Sequence, residues 1–409
     1  MPYRFVKITN YYRSFLNEYY DRNSFIKEKS YNEQHQHLMS QLFGWSDFFV
    51  NHLSKVNVEA FEIVANASPL QNTWKNEFGV KSIGFDFLFD QIKYLQPTVL
   101  FFQDSLFCPT WLLKKIRAEI SSVKLIVGWC CSPYTIKHET NFNEYDLMFV
   151  CSPGFYQDFK NKGFNVYQVY HGFEDSILSK LKINNQTKQN DFTFIGSLIP
   201  GDGFHEERAK LLKNIYNENI KLNANVSYQL DSPITYLQKS IGYMSAKLLN
   251  NIGLNNIVES ITPLRKISQL QSFPKWLSFP IKMKNSFSPS IYGKEMFEMI
   301  SKSKICFNNH GEVAGNFACN IRLFETTGMG SVLLTDHKNN MQDLFEIDNE
   351  VVTYKNNGEC VDKVKWLLDN PTETEKIAKN GQAKTLKTHQ LKDRILNIHE
   401  IISSHLKSK

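Results

Sequence analysis

KICFNNHGEVAGNFACNIRLFETTGMGSVLLTDHKNNMQDLF, residues 304–345, is the stretch whose reading decides the fold. Its apolar runs at 304–308 and 331–335 are continuous and of strand length, the pattern of strands buried on both faces. Between them a helical spacing covers about 318–327 and places Ile321, Phe324 and Gly328 on one side. Gly328 and Gly330 stop that helix and permit a tight return into the next strand. Strand, helix and strand in this order form a βαβ unit, so the two strands are expected as parallel neighbours in an α/β sheet.

The polar residues of the stretch suggest what such a unit could hold. Arg322 and Glu325 stand i,i+3 on the expected helix, away from its packing side, and His310 and Glu312 lie in the loop after the first strand. Ligands of open α/β sheets sit outside the carboxyl ends of the strands. A carboxylate there can accept both hydrogen bonds of a vicinal ribose diol, and a helix N-terminus beside it favours a diphosphate. The same spacing describes a surface ion pair worth about a few tenths of a kcal/mol. Spacing alone leaves both readings open.

Outward from this unit, strands are expected at 4–10, 60–65, 98–102, 123–129, 147–151 and 166–170, alternating with helical runs as in a doubly wound domain. The loops at 66–69, 103–105 and 131–134 would face one cleft. Asp104 stands alone between Gln103 and Ser105, and one carboxylate makes a poor divalent-cation site. Residues 174–190 are polar and low in strand signal, as a linker is, and a second α/β series begins at Asp191. There Gly196–Ser197 reads as a turn at which a backbone can approach a phosphate. Arg208 on the next helix reads either as a guanidinium matching a diphosphate or as a solvated charge beside Glu206 and Glu207.

A chain of 409 residues is long enough for two such domains. A net charge of +6 suits anionic ligands or a membrane surface but falls short of a nucleic-acid footprint. Seven cysteines show no C-x-x-C pair and no metal-ligand spacing with histidine. Cys130 and Cys131 read as small hydrophobes inside an apolar strand, and the absence of a disulfide framework suggests a reducing compartment. The first residues hold no apolar leader pattern, and nowhere do 18 apolar residues run together, so the expectation is a cytoplasmic protein. Residues 235–294 carry eight Lys and Arg against Glu259 alone, interleaved with aromatics. Such a segment can dock on an anionic membrane or a lipid-linked acceptor, or it can be a solvated helical insertion packed on its neighbour.

The motif N-x-R-L-F-E-T-T-G-x-G-x-x-L-L-T-D, with L-F-E-x-x-x-E-V-V-T-Y behind it, resembles the C-terminal half of the spore-maturation (CgeB-like) glycosyltransferases, a branch of the GT-B nucleotide-sugar transferases. The likeness continues through 366–368, 377–381 and 389–394. Upstream it takes in DFTFIGS with Arg208 and YGKEMFEMISKSKICFNNH, while the first half is only a loose echo. The resemblance implies an α/β GT-B fold, two doubly wound Rossmann-like domains facing a central cleft. Residues 1–173 would be the acceptor side and 174–190 the linker. Residues 191–390 would be the nucleotide-sugar domain carrying the insert 235–294, and the helix at 391–409 would cross back to the first domain.

The implied activity is transfer of a sugar from a nucleotide-diphosphate donor to a glycan, protein or lipid-linked acceptor, with no metal or cofactor. The expected partners exclude nucleic acid and include at most a weak peripheral membrane contact. Arg208, Arg322 and Gly196–Ser197 would stabilise the diphosphate and Glu325 would hold ribose. Asn320, Thr335 and Asp336 would complete the donor site, with Asn339 and Asn340 at its border. Many retaining members carry two glutamates eight apart. Phe317 stands where the first would be, so His310 and Glu312 are expected to take over its contact with the sugar. If transfer inverts, the general base would come from His35, His37 or Asp47, with Asp104 a further option. Two other readings of this fold are a nucleotide-sugar epimerase and a non-catalytic nucleotide-sugar-binding or coat-assembly protein.

Overall fold

The computed structural model describes residues 3–183, 187–198, 205–228, 232–268, 273–274, 279–311 and 315–408. The first sheet is built from β1 (Arg4–Thr9), β2 (Glu59–Val64), β3 (Val99–Phe102), β4 (Leu125–Cys130), β5 (Leu147–Val150) and β6 (Val166–Gln168). The second holds β7 (Asn190–Leu198), β8 (Leu222–Tyr228), β9 (Phe287–Ser288), β10 (Ser303–Asn308), β11 (Val332–Asp336) and β12 (Val352–Tyr354). Every pairing in both sheets is parallel. Runs such as VLFF, LIVGWC and LMFV are buried along their whole length, as strands with helices on both faces must be.

Strand order positions the chemistry. The first sheet runs β2-β1-β3-β4-β5-β6 and the second β12-β11-β10-β7-β8-β9. Chain direction across the first sheet therefore reverses between β1 and β3, and across the second between β7 and β10. Crevices open at such reversals, beyond the carboxyl ends of the strands. The helix of the opening stretch spans Arg322–Gly328, four residues later than its spacing suggested. Its approach is held as a loop instead: Ala318 N–H donates to Asn340 Oδ1 at 2.7 Å, and Asn320 Nδ2 to Asn308 Oδ1 at 3.0 Å.

The chain passes between the domains twice, side by side. Phe173 N–H donates to the His389 carbonyl at 2.9 Å, and Leu391 N–H to the Phe173 carbonyl at 2.8 Å. A Cβ on Gly172 would come within 2.8 Å of Leu391 N, so the crossing needs a glycine there. The final helix, Leu391–Ser408, lies on the first domain: Ile395, Ile398 and Ile402 join Phe5 and Phe49 in one buried cluster. Tyr3 Oη meets His399 Nδ1 at 2.8 Å, and Tyr167 Oη meets His405 Nε2 at 3.1 Å.

Two expectations are corrected at this level. Gly196 and Ser197 are not a turn; they lie within β7, paired with Val226 and Ser227, because β8 continues the ladder beyond the apolar run. Cys131 is not an inert neighbour of Cys130. It is joined by a disulfide to Cys151, since the ends of adjacent β4 and β5 bring their Cα atoms to 5.6 Å.

Candidate functional site

At the reversal of the second sheet, Arg208 closes the gap between strand ends. Its guanidinium, buried on the helix Glu206–Asn217, donates to the Ser197 carbonyl at 2.9 Å and to the Asn309 carbonyl at 2.5 Å. The arginine thus ties the end of β7 to the end of β10. It is an internal strut carrying a positive charge, and the solvated reading is excluded by its burial.

From β10 a polar chain runs sideways. Asn320 donates to Asn308, and Asn308 Nδ2 donates to Thr335 Oγ1 at 2.9 Å. Thr335 Oγ1–H reaches Asp336 Oδ1 at 3.2 Å. That same carboxylate oxygen accepts from the His310 backbone N–H and from its ring Nδ1, both at 2.8 Å. Burial would raise the Asp336 carboxyl. The hydrogen bonds from His310 and the Lys338 ammonium, 3.3 Å away, outweigh it and hold the group below its ordinary value. With Nδ1 donating to Asp336, His310 keeps the tautomer whose Nε2 lone pair is free. Among the described residues that buried Nε2 has no partner. A histidine oriented this way can accept a proton or a hydroxyl hydrogen bond from a bound molecule.

The Arg322–Glu325 pair does not lie on the surface. Arg322 Nη1 stands 2.9 Å from Glu325 Oε2, and the glutamate is 7 % exposed. Burial pushes the Glu325 carboxyl up, and Arg322 pulls against it. The loop after β1 comes near this pair: the Tyr12 ring lies 6.3 Å from that of Tyr292, which stands at the N-cap of the helix Gly293–Ser301, and Met296 of that helix accepts from Arg322 Nη1 at 2.9 Å. Asp104 accepts from Leu106 N–H at 3.1 Å, and its carboxyl is raised by burial. On one flank the cleft is closed by Phe317 against Gly154 and by Asn340 Nδ2 donating to Tyr170 Oη at 3.3 Å.

Other expected site residues lie elsewhere. Asp47 and His35 line a cavity of about 240 Å³ whose walls are all first-domain residues, so neither is brought to Glu325 or His310. Their neighbours are Glu62 and Lys7, a fully buried pair 2.7 Å apart. Burial pushes Glu62 up to about 7 against the pull of Lys7, and burial likewise lowers His35 against that of Asp47. His37 hydrogen-bonds Tyr19 Oη at 2.8 Å. Glu312 lies outside the described residues. Sequence reasoning missed Tyr12, Asn308 and Lys338. Their signal was position alone, each standing at or just beyond the end of a strand.

Two doubly wound domains with their strand-order reversals meeting across a cleft define the GT-B fold, and this chain has it. A sucrose-phosphate synthase from Thermosynechococcus elongatus superposes with a TM-score of 0.55 at 9% identity, covering 100% of both chains. A glycosyltransferase from Rickettsia africae gives 0.55 at 8% identity, also over 100% of both. HepE from Anabaena, solved in complex with UDP-glucose, gives 0.52 at 10% identity over 98% of this chain and all of its own. Residues 257–400 match the family model described as glycosyl transferase-like. A comparison with curated protein sequences gave no match.

Proposed function

We propose that the protein is a glycosyltransferase that moves a sugar from a nucleotide-diphosphate donor to a glycan, protein or lipid-linked acceptor. One observation carries this reading: a buried, ion-paired Glu325 and an Asp336-oriented His310 stand on one βαβ unit, at the strand-order reversal of a GT-B scaffold. In this reading Glu325 accepts from the ribose diol, and Asn320, Asn308 and Thr335 shape the donor pocket. Arg322, Lys338 and the fixed charge of Arg208 stabilise the departing diphosphate, so no metal is called for. His310 Nε2 contacts the donor sugar, and Asp104, raised by burial, serves as base for the acceptor hydroxyl if transfer inverts. The family match and the sequence resemblance support the reading, and the UDP-glucose bound to the HepE neighbour fits it.

We place the activity in the cytoplasm with a CgeB-like relationship, a compartment in which disulfides such as Cys131–Cys151 are rare. No helix among the described residues is long and apolar enough to cross a membrane. The deciding experiment titrates UDP- and GDP-sugars calorimetrically into the protein and into Glu325→Ala. One donor class is expected to bind the native form and to bind the variant at least ~10-fold more weakly, the loss of a buried charged hydrogen bond. Equal affinity would remove Glu325 from the site. Turnover is expected to persist in EDTA; its loss, with recovery on adding Mn²⁺, would reveal a metal site.

A further inference from the structure

The crossover between β8 and β9 contains a helix whose sides are reversed. Pro233–Asn251 turns Ser240 and Ala246 inward, and Gly242 inserts against Ile267 of the helix Thr262–Ser268. Outward it shows Ile234, Leu237, Ile241, Met244, Leu248 and Ile252, each between 52% and 69% exposed. At about 100° per residue these six fall within an arc of about 80°. A helix of a globular domain buries its apolar stripe. This one buries small residues and leaves the stripe in the open. Leu254, Ile257 and Ile261 continue the exposure just beyond it. Of the nineteen exposed large apolar side chains among the described residues, eleven lie between 234 and 281.

Charge is gathered in the same segment. Residues 233–294 hold eight Lys and Arg and the single acid Glu259, an excess larger than the +6 of the whole chain. We propose that this segment is a landing surface for an anionic lipid bilayer, with the Pro233–Asn251 helix lying in the interface, stripe down. The 3-4-3-4 spacing of the stripe would also suit a coiled-coil seam with a second copy. A second copy, however, would bring the same cation-rich, nearly acid-free segment against itself, whereas a bilayer carrying phosphatidylserine complements it. At 19 residues and carrying two lysines, the helix lies on a membrane and does not span it.

This inference is independent of the donor site, so its test can fail while the activity stands. The full chain is mixed with vesicles of phosphatidylcholine alone and with about 30% phosphatidylserine, then sedimented. At about 50 mM salt, binding to the anionic vesicles is expected to exceed that to neutral ones at least ~5-fold, and to fall severalfold near 500 mM as screening shortens. The double variant Ile241→Glu/Leu248→Glu is expected to lose at least ~10-fold in anionic binding. Its thermal unfolding and nucleotide-sugar affinity should stay as in the native protein. Lys282→Glu/Lys284→Glu should weaken binding while leaving the stripe intact. No pelleting with anionic vesicles at low salt would overturn the proposal, as would double-variant binding equal to native. A dimer by light scattering that the double variant disperses, without vesicle binding, would assign the stripe to a second copy and overturn it too.

Discussion

Two helices of the second domain invert what their sequences promise, in opposite senses. Arg322–Gly328 carries an i,i+3 ion pair of the kind normally left in water, yet Glu325 is buried and Leu323, Phe324, Thr326 and Thr327 are buried around it. Pro233–Asn251 carries an apolar stripe of the kind normally buried, yet the stripe is exposed. Amphipathic periodicity reports that a helix has two sides. It does not report which side the rest of the molecule covers. In the first case the fold encloses the charges; in the second nothing among the described residues covers the apolar side. Where burial departs from local pattern, binding is the natural reason to look for.

The comparison can be broken most directly at Arg322. Removing one partner of a buried ion pair strands the other without compensation, at a cost of about 3–5 kcal/mol for a fully enclosed pair. Arg322 retains 20% side-chain exposure, so Arg322→Ala is expected to cost about 2–3 kcal/mol near pH 8. The sign with pH is set by Glu325. Its carboxyl is already raised by burial and rises further without the guanidinium, so the variant regains stability as pH falls and the carboxyl takes a proton. Denaturant melts of both proteins at pH 8 and pH 5 measure this. A variant as stable as the native protein at both values would return the pair to the surface.

A smaller effect is expected where the domains join. His389 lies between the Phe324 and Phe345 rings, its Nε2–H donating to the Leu344 carbonyl at 2.8 Å and its Nδ1 accepting from Arg394 at 3.0 Å. Burial lowers it to about 4, and burial does the same to His171, packed on Trp45 and Trp129. Above about pH 6.5 both are neutral whether the chain is folded or not. As pH falls from about 6.5 toward 4 the unfolded chain takes up protons that the native state refuses, so stability is lost across that window. Each histidine contributes at most about 3 kcal/mol, and less to the extent that water reaches it. Melting temperature followed from pH 7.5 to 5 should fall, and His389→Gln should flatten the slope. An unchanged slope in that variant would mean that His389 opens to solvent without cost.

Strand positions were readable because continuous apolar runs such as LIVGWC admit few alternatives. The site was readable only in part. Asn320, Thr335, Asp336 and His310 are joined by hydrogen bonds, and Arg322 pairs with Glu325, because each set lies within one βαβ unit whose local order brings its members near. Tyr12 and Asp104 lie 313 and 221 residues upstream of Glu325, and no periodicity connects them to it. Asp47 and His35 looked equivalent to them in sequence, but they line a cavity walled by first-domain residues, with Glu62 of β2 among them. The Cys131–Cys151 bond was hidden for the same reason, since it depends on β4 and β5 being neighbours.

The smallest expected effect sharpens the comparison most. Truncating a buried core side chain such as Phe324, 1% exposed, to alanine is expected to cost about 3–5 kcal/mol, the transfer and cavity cost of an enclosed phenyl ring. Ile241 and Leu248, 52% and 62% exposed, touch water over most of their surface, so little transfer energy is lost when they are made polar. Serine lowers helix propensity relative to leucine by about a few tenths of a kcal/mol. Against this, the unfolded chain also exposes these groups, so removing them relieves no buried contact in either state. The double variant Ile241→Ser/Leu248→Ser is therefore expected to unfold within about 0.5 kcal/mol of the native protein. Urea melts of both proteins in vesicle-free buffer at low concentration decide the matter. A loss above about 2 kcal/mol would mean that the stripe is packed in solution. The two helices would then follow one rule, and the exposed face would cease to need a partner.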